Sequence, residues 1–129
     1  MAPKDFKELE NMMNFAIKLK SPVIIRYPRG GEAKEKFRSH SYIQLRKGEV
    51  LTVGDDVTIL AIGNQVSKAM NIFTRLKKEN INAEVINVRF LKPFDKYGVL
   101  SSISKTRFVV TIEDGTLVRR FSKRSKRNN

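Results

Sequence analysis

Two arginines flank a rigid turn near the start of the chain, in the run Arg26-Tyr27-Pro28-Arg29-Gly30. A guanidinium presents several N–H donors in a fixed fork, which suits phosphate and carboxylate groups. Proline and glycine on either side of Arg29 would hold its side chain at the end of a strand. Two interpretations remain open from these residues alone. One is a phosphate clamp at Arg29, with Arg26 and Tyr27 nearby; the other is that one or both arginines form structural salt bridges between domains.

Two other polar features have residue types that can do chemistry. His40 is the only histidine and lies in the polar stretch Ser39-His40-Ser41, with no cysteine or second histidine to share a metal. It is predicted to be an exposed spacer. Glu113 and Asp114 follow an apolar segment, where the carboxyl end of a strand can carry a ligand site, although a helix cap or a solvated turn is the commoner role of such a pair. No catalytic residue and no metal ligand is predicted.

The first part of the chain supplies a helix and a strand to position the arginines. Asp5 can cap a helix over residues 6–19, in which apolar side chains recur every three or four positions. Ser21-Pro22 ends this helix, and the β-branched run Val23–Tyr27 predicts a short strand buried on both faces. Residues 32–47 are mixed in charge and without period, so they predict an exposed linker at a domain boundary.

Strands and helices alternate through the rest of the chain. Strands separated by helices of this length require crossover connections, so we predict an α/β fold of three layers with a mixed, mainly parallel sheet. The predicted elements are an edge strand at Lys47–Leu51, a buried strand at Val57–Ile62, a helix from Asn64 to Asn80, a strand at Ala83–Val88, a helix from Asp95 to Ser104 and a strand at Phe108–Ile112.

Composition narrows the class of protein. The chain has 129 residues, enough for one core, and no cysteine, which excludes disulfides and thiol chemistry. The net charge of the chain is +13, and residues 119–129 hold six Lys or Arg and no acidic residue. Residues 1–118 therefore contain 20 basic and 13 acidic side chains, which gives them a net charge of +7. Such a tail is predicted to be disordered. Without a membrane span or a signal sequence, we expect a soluble cytoplasmic protein.

Three blocks of sequence resemble one enzyme family. They are Met-Ala-Pro-Lys-Asp at 1–5, Arg-Tyr-Pro-Arg-Gly at 26–30 and Arg-Phe-Leu-Lys-Pro-Phe-Asp at 89–95. Together they make the chain similar to the C-terminal part of the 1-deoxy-D-xylulose-5-phosphate synthases, which are transketolase-type enzymes, over roughly residues 1–117. The resemblance implies a truncated transketolase C-terminal-domain-like fold, preceded by a helix and a strand of the pyrimidine-binding domain.

The resemblance also implies a division of the chain. Residues 1–31 would end the pyrimidine-binding domain, residues 32–47 would form the linker, residues 48–117 would be a partial transketolase C-terminal domain, and residues 118–129 would be a disordered basic tail. These boundaries follow from the matching blocks and the charge run at the end of the chain.

The resemblance carries expectations about chemistry. The family joins pyruvate to glyceraldehyde 3-phosphate with thiamine diphosphate and magnesium, releasing carbon dioxide and supplying isoprenoid, thiamine and pyridoxal synthesis. The resemblance implies that Arg29 contacts the phosphate of the acceptor substrate, glyceraldehyde 3-phosphate, with Arg26 and Tyr27 nearby. The family's cofactor, metal and catalytic residues match positions upstream of Met1, so we expect no cofactor or metal to bind this chain and the isolated chain to be inactive.

The family is homodimeric, and the expected partner is the upstream half of a synthase, if it is separately encoded; no membrane or nucleic-acid partner is expected.

The end of the chain departs from the family pattern. After the Glu-Asp pair the family continues into a Gly-Gly-Phe-Gly type segment, whereas this chain reads Arg119-Arg120-Phe121. Codons for Gly-Gly-Phe can encode Arg-Arg-Phe in a neighbouring frame, so we interpret the tail as out-of-frame translation. A sheet that lacked its later elements would expose an edge, which predicts marginal stability or self-association.

The alternative function is a small basic module that binds nucleic acid or another polyanion through its tail. Clustered Lys and Arg displace counterions from phosphates, so such binding would be salt-sensitive and blind to sequence. Deleting residues 119–129 should abolish any binding to heparin or DNA in a filter-binding assay, because the tail holds six basic side chains. Binding that survives the deletion would place a polyanion site in residues 1–118.

Overall fold

The computed structural model describes residues 1–31 and 37–114 of the chain. In this part of the chain, strands and helices alternate after an N-terminal helix. The elements are α1 (Phe6–Leu19), β1 (Glu49–Val50), β2 (Val57–Ala61), α2 (Gln65–Lys78), β3 (Ala83–Asn87), α3 (Lys96–Lys105) and β4 (Phe108–Ile112). The predicted helices and the four strands after the linker are therefore confirmed, with ends that differ by a few residues.

The strands form one mixed sheet in the order β1-β3-β2-β4. β2 lies between β3 and β4 and is parallel to both, whereas the short β1 runs antiparallel to β3 at one edge. The helices α2 and α3 make the connections between the parallel strands, as their sequence spacing requires. The predicted mixed, mainly parallel sheet is confirmed.

Helices cover both faces of this sheet. Ile59 on β2 belongs to a buried cluster that includes Val66 and Ala69 of α2. Its neighbour Leu60 points to the opposite face and packs in a second cluster with Val99 of α3. Alternate residues of a strand face opposite sides, so the two clusters define three layers, with the sheet in the middle.

Local sequence signals place the ends of the elements. The Asp5 carboxylate accepts a hydrogen bond from the Glu8 backbone N–H at 2.8 Å and so caps α1. Asp95 caps α3 in the same way, accepting from Gly98 N at 3.0 Å. Gly63 leaves β2 with a positive φ of 63°, which glycine tolerates at this sharp turn. Asn64 sits at the N-cap of α2, but its side chain makes no capping hydrogen bond there.

The prediction of a buried strand at Val23–Tyr27 is wrong for the described chain. The segment forms no strand, and Ile24 and Tyr27 are 80% and 69% exposed. The backbone of this segment hydrogen-bonds to Met1. Met1 N donates to Ile24 O at 2.8 Å, and Arg26 N donates to Met1 O at 2.9 Å. A β-branched run becomes a buried strand only when neighbouring strands lie beside it.

Some predictions fall on residues outside the described part of the chain. They are the first part of the predicted linker, residues 32–36, and the predicted disordered tail, residues 118–129. None of the helices in the described ranges is both long and apolar enough to cross a bilayer.

β4 is an edge strand within the described residues and carries exposed apolar side chains. Phe108 is 68% exposed, Val110 46% and Val109 37%. The sequence predicted another apolar strand here, and the strand is present, but no described strand covers its outer side. Unpaired apolar edges are uncommon in soluble proteins because they promote association.

The fold depends on a close approach of two backbone segments at Gly54. A Cβ atom at this position would lie 2.6 Å from the backbone carbon and oxygen of Asn82. Replacing Gly54 with Ala should therefore lower the free energy of unfolding by about 1–3 kcal/mol, measured by urea denaturation followed by circular dichroism. Gly30→Ala is the matched control because nothing lies within 4 Å of its added methyl. Equal stability of the two variants would contradict the close approach.

Candidate functional site

A cleft of about 1020 Å³ opens at the carboxyl ends of the parallel strands. One wall is the extended segment at residues 21–28, and the other is built from residues that directly follow β2, β3 and β4. The residues after these strands are 62–64, 90–93 and 113–114. In open α/β sheets ligands bind at this end, because the loops after parallel strands converge there. The cleft is therefore the candidate site of the fold.

The cleft brings several predicted residues together and leaves one outside. Arg26 and Tyr27 line one wall, and Glu113 and Asp114 line the other. Arg29 is exposed and is not among the residues that line the cleft. The Arg29 side chain is open to solvent, and the choice between a phosphate contact and a salt bridge between domains stays a prediction.

Two basic residues of the cleft were missed by the sequence analysis. Arg46 and Lys92 line it together with Arg26, so three cationic side chains face the same space. Lys92 lies inside the block at residues 89–95, which was used only to recognise the family. Arg46 gave no signal, because its position depends on a left-handed backbone conformation, φ 66°, that ends the linker. The cleft also has a broad apolar lining, which includes Phe15, Leu19, Ile24, Phe90 and Leu91.

A second polar cluster lies buried between α1 and the sheet edge, and its centre is Arg89. The guanidinium is 1% exposed, and its Nε donates to Glu8 Oε2 at 3.0 Å. Its terminal nitrogens donate to the backbone oxygens of Ser41 and Tyr42, both at 3.0 Å. Arg89 also has a positive φ of 61°, which is strained for a side chain with a Cβ and is held by these contacts. This arginine is structural.

Lys4 and Asn87 complete the cluster around the two glutamates. Lys4 Nζ lies 2.6 Å from Glu49 Oε1, and Glu49 also lies 3.2 Å from Arg89. Asn87 donates to Glu8 at 3.0 Å and to Glu49 at 3.2 Å, so its amide joins the two carboxylates. We call these five residues the charge cluster. Two cations and two carboxylates balance, which is the condition under which buried charges persist.

The prediction that His40 is an exposed spacer is wrong. Its side chain is 18% exposed, and Nε2 lies 2.6 Å from Asp5 Oδ2, the carboxylate that caps α1. Phe37 is also half-buried against the core, with Lys4 Nζ 4.8 Å from its ring centroid. A segment of mixed charge without apolar periodicity is exposed only when its side chains lack partners elsewhere in the fold. Here Asp5 and Lys4, at the N-terminus of α1, are the partners of His40 and Phe37.

The charge cluster controls the ionisation of Glu49. Burial by itself would raise the pKa of this carboxyl group. The hydrogen bond from Lys4, the charge of Arg89 and the backbone N–H of Ser41 outweigh burial and lower the pKa from 4.5 to about 2. Glu49 is therefore a carboxylate at all ordinary pH values, and folding is linked to its ionisation.

The carboxylates of the described residues do not form a metal site. No group of three His, Asp or Glu side chains in these ranges could hold a metal ion. Asp5, Glu8 and Glu49 are instead bonded to His40, Arg89 and Lys4, respectively. A hard cation such as magnesium binds several oxygen ligands at once, and the described residues do not gather three such side chains in one place.

Residues 46–122 match the family described as Transketolase, C-terminal domain, so the chain belongs to that family. Curated relatives carry the name 1-deoxy-D-xylulose-5-phosphate synthase. The chain is 44% identical over 118 residues to the protein of Halothermothrix orenii and 43% identical over 121 residues to that of Desulfotalea psychrophila. Each comparison covers 91% of this chain but 19% of the relative, so the chain spans about a fifth of their length. The resemblance to these synthases is confirmed.

A solved structure supports the fold. It is described as a split gene transketolase, inactive beta4 tetramer, and superposes with a TM-score of 0.90 at 30% identity. The superposition covers 98% of this chain and 42% of that one. The transketolase C-terminal-like fold expected from the sequence is therefore confirmed.

Replacing Glu49 with Gln should make folding less stable and less sensitive to acid. At pH 7 we expect the free energy of unfolding to fall by about 3 kcal/mol, because Lys4 and Arg89 lose a buried counter-charge. A carboxyl group whose pKa is lowered on folding stabilises the fold above its unfolded pKa of 4.5, and this contribution is lost as the pH falls towards 2. The difference between the wild-type chain and Glu49→Gln should therefore shrink over that range, measured by urea unfolding.

Glu10→Gln is the control for this experiment. Glu10 forms an exposed pair with Lys7 at 3.2 Å, and both side chains are more than half exposed. Its loss should change the free energy of unfolding by less than about 0.5 kcal/mol at any pH. A similar effect of the two substitutions, or a constant difference for Glu49→Gln between pH 5 and pH 2.5, would show that Glu49 is not the linked group.

Proposed function

We propose that this chain supplies the C-terminal region of a 1-deoxy-D-xylulose-5-phosphate synthase, which joins pyruvate to glyceraldehyde 3-phosphate and releases carbon dioxide in the cytoplasm. The observation that carries the proposal is the 44% identity to a synthase of that name along 91% of the chain. The match includes the Arg-Tyr-Pro-Arg-Gly segment, whose arginines lie in or beside the cleft.

In this proposal, Arg29 binds the phosphate of the acceptor substrate. Its side chain is exposed on the rim of the cleft, after a proline and before a glycine, so it can reach a ligand held by another polypeptide. Arg26 lies inside the cleft with Lys92 and adds positive charge on the same side. A guanidinium pairs with phosphate through two parallel hydrogen bonds, which fixes orientation as well as affinity.

The thiamine diphosphate and magnesium of the reaction are assigned to the other polypeptide. When bound, that cofactor supplies the electron sink for the carbanion formed from pyruvate. The described residues do not fit the metal, since no three His, Asp or Glu side chains among them are grouped to hold it. The chain itself therefore binds phosphate and packs against the polypeptide that holds the cofactor, and it is inactive alone.

We infer that the partner is the upstream part of the synthase and that it docks on the cleft wall. The extended segment at residues 23–27 has β-branched side chains and exposed Ile24 and Tyr27, so a partner can add strands beside it. The chain spans 19% of that synthase relative, so such a partner, if it is separately encoded, would supply the region that matches the rest of the enzyme. The similar chain of a split gene transketolase is described as an inactive tetramer, which supports the need for a second polypeptide.

A chimaeric enzyme tests the proposal. Residues 1–117 of this chain would replace the matching segment of the Halothermothrix orenii synthase, and carbon dioxide release would be measured with glyceraldehyde 3-phosphate and with glyceraldehyde. We expect the chimaera to be active. Arg29→Met should raise KM for glyceraldehyde 3-phosphate roughly 10- to 100-fold, because a charge-assisted phosphate contact is lost, and should leave KM for glyceraldehyde unchanged.

Arg75→Met is the matched control, because Arg75 is exposed in the last turn of α2, away from the cleft. It should behave like the unsubstituted chimaera. A folded chimaera without activity would refute the proposed function. Equal changes in KM for the two acceptors would retain the function and remove Arg29 from phosphate binding.

A further inference from the structure

The dipeptide Met1-Ala2 lies between the end of β3 and the segment that carries Arg26. Its backbone is bonded on both sides. Ala2 N donates to Arg89 O at 3.0 Å, Arg26 N donates to Met1 O at 2.9 Å, and Met1 N donates to Ile24 O at 2.8 Å. We call Met1-Ala2 the strap, because its backbone hydrogen bonds tie the arginine segment to Arg89, just past β3.

Arg89 holds an uncommon backbone conformation at the point where the strap is attached. Its φ is 61°, and Phe90 N donates to Val88 O at 2.6 Å, so the chain turns sharply around it. A residue with a Cβ keeps a left-handed conformation only where its surroundings fix it. Here Arg89 is 1% exposed, and its Nε donates to Glu8 Oε2 at 3.0 Å, which anchors the side chain. The Glu8–Arg89 pair therefore fixes the direction of the carbonyl group that accepts the bond from the strap.

The strap in turn constrains the two arginines of the segment. Arg26 is bonded to it directly through its own backbone N–H. Tyr27 and Pro28 are all that separate Arg26 from Arg29. Proline restricts its own φ to about −65° and limits the conformations of the residue before it, so few rotations are free between the two arginines. The position of Arg29 therefore depends on the backbone of Arg26, and through the strap on Arg89.

Glu8 and Arg89 act on this segment from a distance. Neither residue is among those that line the cleft, and both are buried in the charge cluster. They therefore influence a ligand in the cleft through the backbone that they hold, and not by touching it.

We propose that the buried Glu8–Arg89 pair positions the phosphate-binding segment through the strap. The inference rests on the proposed function, in which Arg29 binds the phosphate of glyceraldehyde 3-phosphate. While the pair is intact, Arg26 and Arg29 are held in place before the ligand arrives. When the pair is lost, the ligand must order the segment on binding, and the cost of this ordering weakens the affinity for the phosphate without changing the reacting groups.

Hydrogen exchange on the full-length chain tests this coupling without any catalytic activity. Both oxygens of the Glu8 carboxylate accept hydrogen bonds, so the N–H2 group of Glu8→Gln meets a donor on either side. We expect the Arg26 amide to exchange with solvent roughly 10-fold faster in Glu8→Gln, relative to the Leu60 amide in the middle of the sheet, because its bond to the strap opens more often. The exchange rates would be measured by NMR on the ¹⁵N-labelled chain.

Val57→Ala is the matched control for this measurement. Val57 is buried in the core and is the first residue of β2, at the opposite end of that strand from the cleft. Loss of its methyl groups lowers the stability of the fold without touching the strap. The exchange of the Arg26 amide relative to that of Leu60 should therefore stay as in the wild-type chain.

In the chimaera, the loss of the pair should change the KM for one acceptor. Glu8→Gln should raise KM for glyceraldehyde 3-phosphate roughly 3- to 10-fold, because the segment must be ordered on binding, and should leave kcat and KM for glyceraldehyde unchanged. Ala2→Pro removes the N–H that bonds Arg89 O and should have the same effect. Ala2→Gly keeps that N–H and should give a lower KM than Ala2→Pro, and Val57→Ala should change neither KM. Circular dichroism would confirm that each variant is folded in the assay.

Three results would overturn this inference. They are an Arg26 amide whose relative exchange is unchanged in Glu8→Gln, equal changes in KM for the two acceptors in Glu8→Gln, and a KM for Ala2→Pro that is no higher than for Ala2→Gly. An inactive chimaera would instead refute the proposed function, and the exchange measurement on the full-length chain would then decide the coupling alone.

Discussion

The balanced pairing of buried charges around Arg89 holds the described chain together. Arg89 and Lys4 face Glu8 and Glu49, with every member of the set less than 7% exposed. Removing any one of them would leave a buried charge without its partner, which costs several kcal/mol. This set joins α1 to the edge of the sheet and contacts the segment around Ser41, so two parts of the chain that are far apart in sequence pack together.

The candidate site follows from this junction. Because α1 is fixed against the sheet edge, the segment after it, residues 21–28, runs past the carboxyl ends of the parallel strands. The cleft between them gathers Arg26, Arg46 and Lys92 beside a broad apolar surface. A lining of this kind suits both an anionic substrate and the packing of a second polypeptide, the two roles proposed for this face of the chain.

Local sequence patterns were sufficient where the cause is local. The spacing of apolar residues gave α1, α2 and the strands, and the carboxylates of Asp5 and Asp95 marked helix starts through bonds to residues three positions away. The prediction of a buried strand at Val23–Tyr27 was wrong because a strand needs neighbouring strands, and the residue pattern of one segment does not show whether they are present. His40 failed for a related reason, since its partner Asp5 lies 35 positions earlier in the chain.

The sequence by itself determined the family, the α/β order of elements and the presence of arginines able to bind an anion, because these depend on residue type and short spacing. Only the tertiary structure decided that Arg89 is structural, that Arg46 and Lys92 share a cleft with Arg26, and that Arg29 stays outside it. These outcomes depend on contacts between residues that are distant along the chain and on left-handed backbone turns at Arg46 and Arg89. Neither the long-range contacts nor the left-handed turns produce a periodic pattern in the sequence, because both are determined by tertiary packing.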